Sequence, residues 1–383
     1  MKDLIFPIVV FIFLLINSSL GLFCGFLGLH PSIPLILYLL YAYASQKISF
    51  KQKYGWIALL IFIFGLGIYV NAIINDVHSA EIDALRMYVA LFPAAMYMEQ
   101  MNEREKKSIK DIVWIVLLTE ILLSYYERYT ITNVFESEEF NVFTGNHGNM
   151  VFRANGLYYH PLSNSYIISV ITIFIVCCKD YTLKTKFLVY VMSVISLLCY
   201  NSRGNVVLTG VICLPIFLNE IKNFGTGKRV LIIVIASLFL YYGINYALSS
   251  ELGGRFVFFK EQGGDDWGST AARIEAFSAF DYLDTQELLW GGYDLYDKLL
   301  VMMDLAGIEN SYITFILRHG LVLGLPLLVL LLSFVLLKVN QKYDKLSKWL
   351  IIGTFLGLGM TNPHLASCFP WMFFIFSYYA FRP

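Results

Sequence analysis

The sequence predicts an all-α polytopic membrane protein with about twelve transmembrane helices. Three observations carry this. Of 383 residues, 58% are hydrophobic and only 15% are charged, whereas soluble domains carry roughly a quarter charged residues. Mean hydropathy is +0.64, and the apolar residues fall in long continuous runs. A transmembrane barrel would instead alternate apolar and polar positions, so helices are selected. The length also fits: about twelve spans of ~20 residues need ~240 residues and leave ~140 for loops. In lipid every backbone polar group must be paired within such elements. The whole chain, 1–383, reads as a single transmembrane domain.

Twelve apolar stretches follow in order: 4–23, 30–45, 55–73, 84–98, 111–126, 162–178, 187–201, 204–219, 230–248, 311–337, 349–361 and 368–381. The first follows Lys2 and imitates a secretion signal. It lacks a convincing small-x-small cleavage site, so it reads as an uncleaved span. The pair around 187–219 is short and flanks a polar break, Asn201-Ser202-Arg203-Gly204. The long 311–337 stretch is expected to begin as a helix standing above the membrane before Gly320.

Basic residues orient the chain. With the N-terminus inside, cytoplasmic segments hold 19 of the 28 Lys and Arg residues. The bias recurs at each inside loop and predicts that both termini are cytoplasmic. Two large loops, about 127–161 and 249–310, then face the periplasm. The first begins acidic (Glu127, Glu136, Glu138, Glu139) and ends rich in glycine and aromatics. The second contains Gly253-Gly254-Arg255, a helical Thr270–Leu283 and Trp290-Gly291-Gly292-Tyr293. It is too long and too aromatic for a bare linker.

Formal net charge is zero, which argues against nucleic acid as a partner. The six cysteines (Cys24, Cys177, Cys178, Cys199, Cys213, Cys368) lie in or beside apolar runs. None is spaced as a metal site or disulfide framework, and they read as packing residues. Asp265-Asp266 is the nearest approach to a paired-acid metal motif and reads as loop acid.

Arginine and lysine segregate. Inside, 16 of the 19 basic residues are Lys; outside, Lys260 and Lys298 accompany seven arginines, Arg86, Arg128, Arg153, Arg203, Arg255, Arg273 and Arg318. Topology needs no arginine outside. A planar guanidinium suits bidentate binding of phosphate oxygens and stays charged near lipid. The plain alternative is structural pairing with the outside acids. Arg203 stands apart, because an ionisable group near membrane depth is a functional candidate by default. Arg86 and Arg128 read as interfacial anchors. Arginines below an aromatic loop suggest a ligand with a lipid tail, an anionic head and a sugar.

Four stretches resemble the O-antigen polymerase and ligase superfamily (Wzy/WaaL-like membrane glycosyltransferases). Arg153-Ala154-Asn155-Gly156-Leu157-Tyr158-Tyr159-His160-Pro161 is similar to R-x-x-G-x-x-x-x-P before a span. Ser202-Arg203-Gly204 matches S-R-G between two spans. Ser269–Phe277 with Arg273, followed by Leu288-Leu289-Trp290-Gly291-Gly292-Tyr293, resembles an S-x-R helix leading to a P-L-x-G-x-G turn. Glu309-Asn310-Ser311-Tyr312-Ile313, then Gly320-Leu321-Val322-Leu323-Gly324-Leu325, resembles H-N-x-Y-L followed by G-L-x-G-L. The motifs cover roughly 150–325. The family's His stands as Glu309 here, and the P-L-x-G-x-G turn is Leu-Leu-Trp-Gly-Gly. Loss of that His lowers the ligase reading and favours the polymerase.

The resemblance implies a GT-C-like enzyme of the bacterial inner membrane, working at the periplasmic face. It implies transfer of a glycan from an undecaprenyl-diphosphate donor to a lipid-linked acceptor sugar, without cofactor or metal. Arginines can stabilise the departing diphosphate in a water-poor site. Arg203 and Arg273 are assigned to the diphosphate, with Arg153 and Arg255 as further ligands of it or of the sugar. Glu309 is either the base for the acceptor hydroxyl or a structural partner of Arg273 or Arg318. His160, Asn310, Tyr312 and Arg318 complete the candidate substrate-binding set. Implied partners are membrane lipid, the lipid-linked oligosaccharide and a chain-length-regulating membrane protein. The alternatives are a ligase with a lipid A–core acceptor and, in another class, a lipid-linked-glycan transporter. A transporter should carry polar residues along its spans; here Glu120 is the only mid-span acid.

Overall fold

A computed structural model describes residues 5–16, 32–45, 55–77, 91–135, 143–144, 151–158, 160–222, 224–249, 276–303, 308, 310–361 and 368–382. Among the described residues, regular structure is helical apart from a minimal two-stranded ladder. In order come α1 (Ile5–Phe11, continued by a π-turn at Ile12–Ile16), α2 (Ser32–Ala44), α3 (Gly55–Ile74), α4 (Leu91–Glu99) and α5 (Glu103–Thr130). β1 (Phe143–Thr144) pairs antiparallel with β2 (Val151–Phe152), in the register Phe143 to Phe152. Next are α6 (Pro161–Cys177), α7 (Leu183–Cys199), α8 (Arg203–Ile221) and α9 (Thr226–Ser249). A 3-10 turn at Ala276–Tyr282 precedes α10 (Thr285–Trp290) and α11 (Tyr293–Met302). The chain closes with α12 (Ser311–His319), a π-turn at Gly320–Gly324, α13 (Leu325–Lys342), α14 (Lys345–Met360) and α15 (Cys368–Phe381).

Each of the twelve apolar stretches thus carries a helix. Among the described residues, three helices are long and apolar enough by themselves to cross a membrane: Gly55–Ile74, Arg203–Ile221 and Ser311–Lys342. The chain is therefore a helical protein of membrane character. The last of these is broken where the sequence predicts, because Gly320 takes φ 69° and ends α12. The expected helix over Thr270–Leu283 is only partly within the described residues, which show a 3-10 turn from Ala276. The loop expected from residue 127 begins later, since α5 continues to Thr130.

Helix starts follow local chemistry. Asn102 accepts hydrogen bonds from the amides of Arg104 and Glu105 at the head of α5. Acids in its first turn and Arg128 in its last suit the helix dipole. His160 Nδ1 accepts from the Leu162 and Ser163 amides at the head of α6, with Pro161 at the first position. Asp284 and Glu287 form a reciprocal capping box on α10.

The chain divides into two compact units. The first comprises residues 1–116, 268–343 and 355–382. Its C-terminal helix α15 is buried from Pro370 to Phe381, with Phe355 against Trp371 and Phe374. Glu99 gathers Lys338, Arg382 and the Tyr379 hydroxyl. Burial alone would raise the Glu99 carboxyl, but these bonds outweigh it and hold its pKa below the ordinary carboxylate value. Tyr38, Tyr97 and Glu105 form a second polar chain, with links of 2.8 and 2.7 Å.

The second unit comprises 117–267 and 344–354. Its centre is α6, buried along nearly its whole length. A helix buried all round needs small polar residues that pair across helices. Thr172 donates to Ser193 of α7 at 2.7 Å, and Thr209 of α8 donates to Ser169 at 2.8 Å. Lys186 and Glu220 join α7 to α8 by an ion pair.

Candidate functional site

In the second unit, two motifs far apart in sequence come together. The Arg153 segment runs beside the break between α7 and α8. Ala154 N donates to Cys199 O at 3.3 Å, and Arg153 Nε donates to Tyr200 O at 3.1 Å. Arg203 begins α8, after Asn201 in a left-handed conformation (φ 54°). Ser202 occupies the N-cap position without capping through its side chain. Such a helix start leaves its first amides without a partner inside the helix, which suits an anion. Within the first turn of the helix, Asn205 is buried, and its Nδ2 has no partner among the described residues. An arginine at the break, a second beside it and a helix N-terminus thus converge there.

The turn that carries Arg153 is held by two acids from α5. Glu127 Oε2 accepts from the amides of Asn155 and Gly156, both at 2.8 Å, while Oε1 accepts from Val134 N at 2.9 Å. Buried Glu120 accepts from the Tyr200 hydroxyl at 2.6 Å and from Leu157 N at 3.4 Å. Asn164 of α6 accepts from Tyr158 N and donates to Asn155 O. Gly156 has φ 60°, and a Cβ there would run into Tyr200, Glu120 and Asn164. Arg128, expected from the sequence as an interfacial anchor, donates to Phe152 O and so also clamps the loop.

In the first unit, the third and fourth motifs also meet. Gly291 and Gly320 pack closely, and Gly292 N donates to Leu317 O at 2.9 Å. Arg318 lies over Tyr293 and Tyr296, with its guanidinium carbon 5.2 and 5.6 Å from the ring centres. His319 is buried between Tyr293 and Phe315. A cleft of about 550 Å³ opens here, with Arg318, His319, Trp290 and Tyr293 in its wall.

The candidate residues are placed unequally. Arg153 and Arg203 are brought to one break, and Arg318 lines the cleft. His160 caps α6. Asn310 caps α12 by accepting from the Tyr312 and Ile313 amides. The Tyr312 hydroxyl donates to Leu356 O. These three side chains have structural tasks. Arg255, Arg273, Glu309, Arg86 and the Asp265-Asp266 pair lie outside the described residues. No protein-family model matches the chain, and no curated protein is significantly similar to it.

The sequence reading missed Glu127, Tyr200 and Asn164. Glu120 carried a signal, as the single acid in the middle of a predicted span. Glu127 carried none, because an acid at a loop's edge is ordinary until the turn it binds is known.

Proposed function

We propose that the chain is an O-antigen polymerase of the bacterial inner membrane. It transfers a glycan from an undecaprenyl-diphosphate donor to a lipid-linked acceptor sugar. The observation that carries this reading is the approach of the Arg153 segment to the start of α8 at Arg203. Cleaving the anomeric C1–O bond releases a diphosphate-linked lipid. Its negative charge grows as the bond breaks, and fixed donors beside it lower the barrier. Two guanidinium groups and the amides of a helix start are donors of that kind.

In this mechanism Arg203 holds the diphosphate, while Arg153 and Arg255 hold it or the adjoining sugar. The acceptor hydroxyl attacks C1 as the C1–O bond to the diphosphate breaks and gives its proton to a base, the role that the resemblance implies for Glu309. The site faces the periplasm in a topology of about twelve spans with both termini inside. The supports are the 19-to-9 division of basic residues and the helix in each apolar stretch. A chain-length-regulating membrane protein is the expected partner.

The test is the lipopolysaccharide ladder of a deletion strain. Core bearing one repeat unit supports the polymerase. Bare core, with glycan stranded on the carrier lipid, identifies a ligase instead. An unchanged ladder rejects both.

A further inference from the structure

The cleft of the first unit has a composition unlike that of the arginine break. Its apolar lining includes Ile68, Ala72, Leu295 and Leu323. Asn71 and Asn75 enter from the end of α3, one helical turn apart and therefore on one face. Asn75 Nδ2 donates to Asn71 O at 2.8 Å and reaches Asn71 Oδ1 at 3.2 Å, so the two amides form one polar strip. Trp290, which closes α10 and is 46% exposed, lines the same cleft. A large indole left this open beside a cavity offers a flat apolar face with free area.

Charge narrows the choice of ligand. Glu287 is neutralised by Lys298 at 2.6 Å and is tied to the α10 capping box. Of the other charged residues in the wall, Arg318 and exposed Asp294 cancel. Arg318 already rests on two tyrosine faces. A doubly negative phosphate would find no net positive field here. A neutral ring with one apolar face and a rim of hydroxyls matches an aromatic platform facing amides and one acid. The volume, about 550 Å³, falls within the range of small-molecule sites.

We propose that this cleft is a saccharide subsite, in which a neutral pyranose stacks on Trp290 and hydrogen-bonds to Asn71, Asn75 and Asp294. The α3 end thereby joins the functional surface, although no motif marks it. The pyranose being part of the polymer's own glycan rests on the polymerase reading; its chemical class rests on the cleft.

The experiment uses the purified full-length chain in detergent. The probes are oligosaccharides of a few sugars, released by mild acid from the surface polysaccharide of the cells that make this protein. Binding is followed by saturation-transfer NMR and titration calorimetry. Wild type should bind, Trp290→Ala and Asn71→Ala should each weaken binding about tenfold or more, and Trp290→Phe should retain most of it. Val301→Ala, on an 83%-exposed residue outside the cleft wall, should change nothing. Unfolding temperatures verify that the variants are folded. Absence of wild-type binding, or equal binding by folded Trp290→Ala and Asn71→Ala, overturns the subsite even if the protein makes polymer. Binding that behaves as expected without polymerisation of lipid-linked units keeps the subsite and removes the polymerase.

Discussion

Gly291 and Gly320 meet backbone to backbone. Gly291 has φ 71° and ψ −174°, and Gly320 has φ 69° and ψ 176°. That region is open essentially only to glycine. A Cβ on Gly291 would also strike the carbonyl carbons of Arg318 and His319 at 2.8 Å, and one on Gly320 would strike Gly291 N at 2.6 Å. The two glycines therefore set how closely the end of α10 approaches the end of α12.

Alanine at either position is expected to destabilise the folded chain by about 1–3 kcal/mol from backbone strain, before any cost of the clash. Thermal unfolding in detergent measures this. Gly225→Ala is the control, because a Cβ there meets nothing within 4 Å. A melting temperature unchanged in both Gly291→Ala and Gly320→Ala would show that this close approach contributes nothing to stability.

Arg153→Lys and Arg203→Lys should each abolish long polymer while the protein still reaches the membrane. Lysine keeps the charge but loses the planar two-pronged donor. Arg153→Lys also changes the group that donates to Tyr200 O. Lipopolysaccharide ladders and membrane immunoblots give the result. Normal-length polymer from both variants would mean that positive potential alone suffices.

Glu127→Gln removes a carboxylate that accepts three backbone amides. A glutamine has one acceptor oxygen and one donor nitrogen at its end, so at least one buried amide loses its partner. The expected cost is about 1–3 kcal/mol, read as a lower unfolding temperature and faster proteolysis near residues 153–158. An unaltered cleavage pattern would show that the turn holds without Glu127.

The Glu99 cluster makes stability depend on acid. Its folded pKa lies below the ordinary value, set by Lys338, Tyr379 and Arg382 against the opposing effect of burial. Its contribution is full above the unfolded carboxylate pKa, about 4.3, and fades as pH falls through the lower folded value. Unfolding temperatures of wild type and Glu99→Gln should differ clearly at neutral pH and converge in acid. A constant gap down to pH 3 would contradict the assignment.

The apolar stretches were legible as continuous hydrophobic runs, and each carries a helix among the described residues. The Gly320 break was legible because a glycine interrupted an overlong run. Arg203 stood out as a charge in an apolar setting. The nearness of Arg153 to Tyr200 was not legible: it depends on backbone bonds between segments almost fifty positions apart. His160, Asn310 and Tyr312 entered the candidate substrate-binding set through the motifs that resemble the family. A polar side chain beside a helix start serves equally as a cap, and spacing alone does not separate the two roles. Asn71 and Asn75 looked like the polar end of a span, because nothing in their own segment reports the indole that lines the same cleft.

The turn at Asn155–Tyr158 also implies an order of assembly during synthesis. Glu120 and Glu127 belong to a helix that leaves the ribosome before the turn, whereas Asn164 and Tyr200 emerge after it. The acids are therefore in place early, and the turn has acceptors waiting as it is made. Its last clamp comes only with the end of α7, just ahead of Arg203. A chain that ends between 165 and 195 and is released would hold the turn by α5 and Asn164 alone. Protease protection of the Arg153 segment should thus rise in two steps as progressively longer chains are released into membrane vesicles.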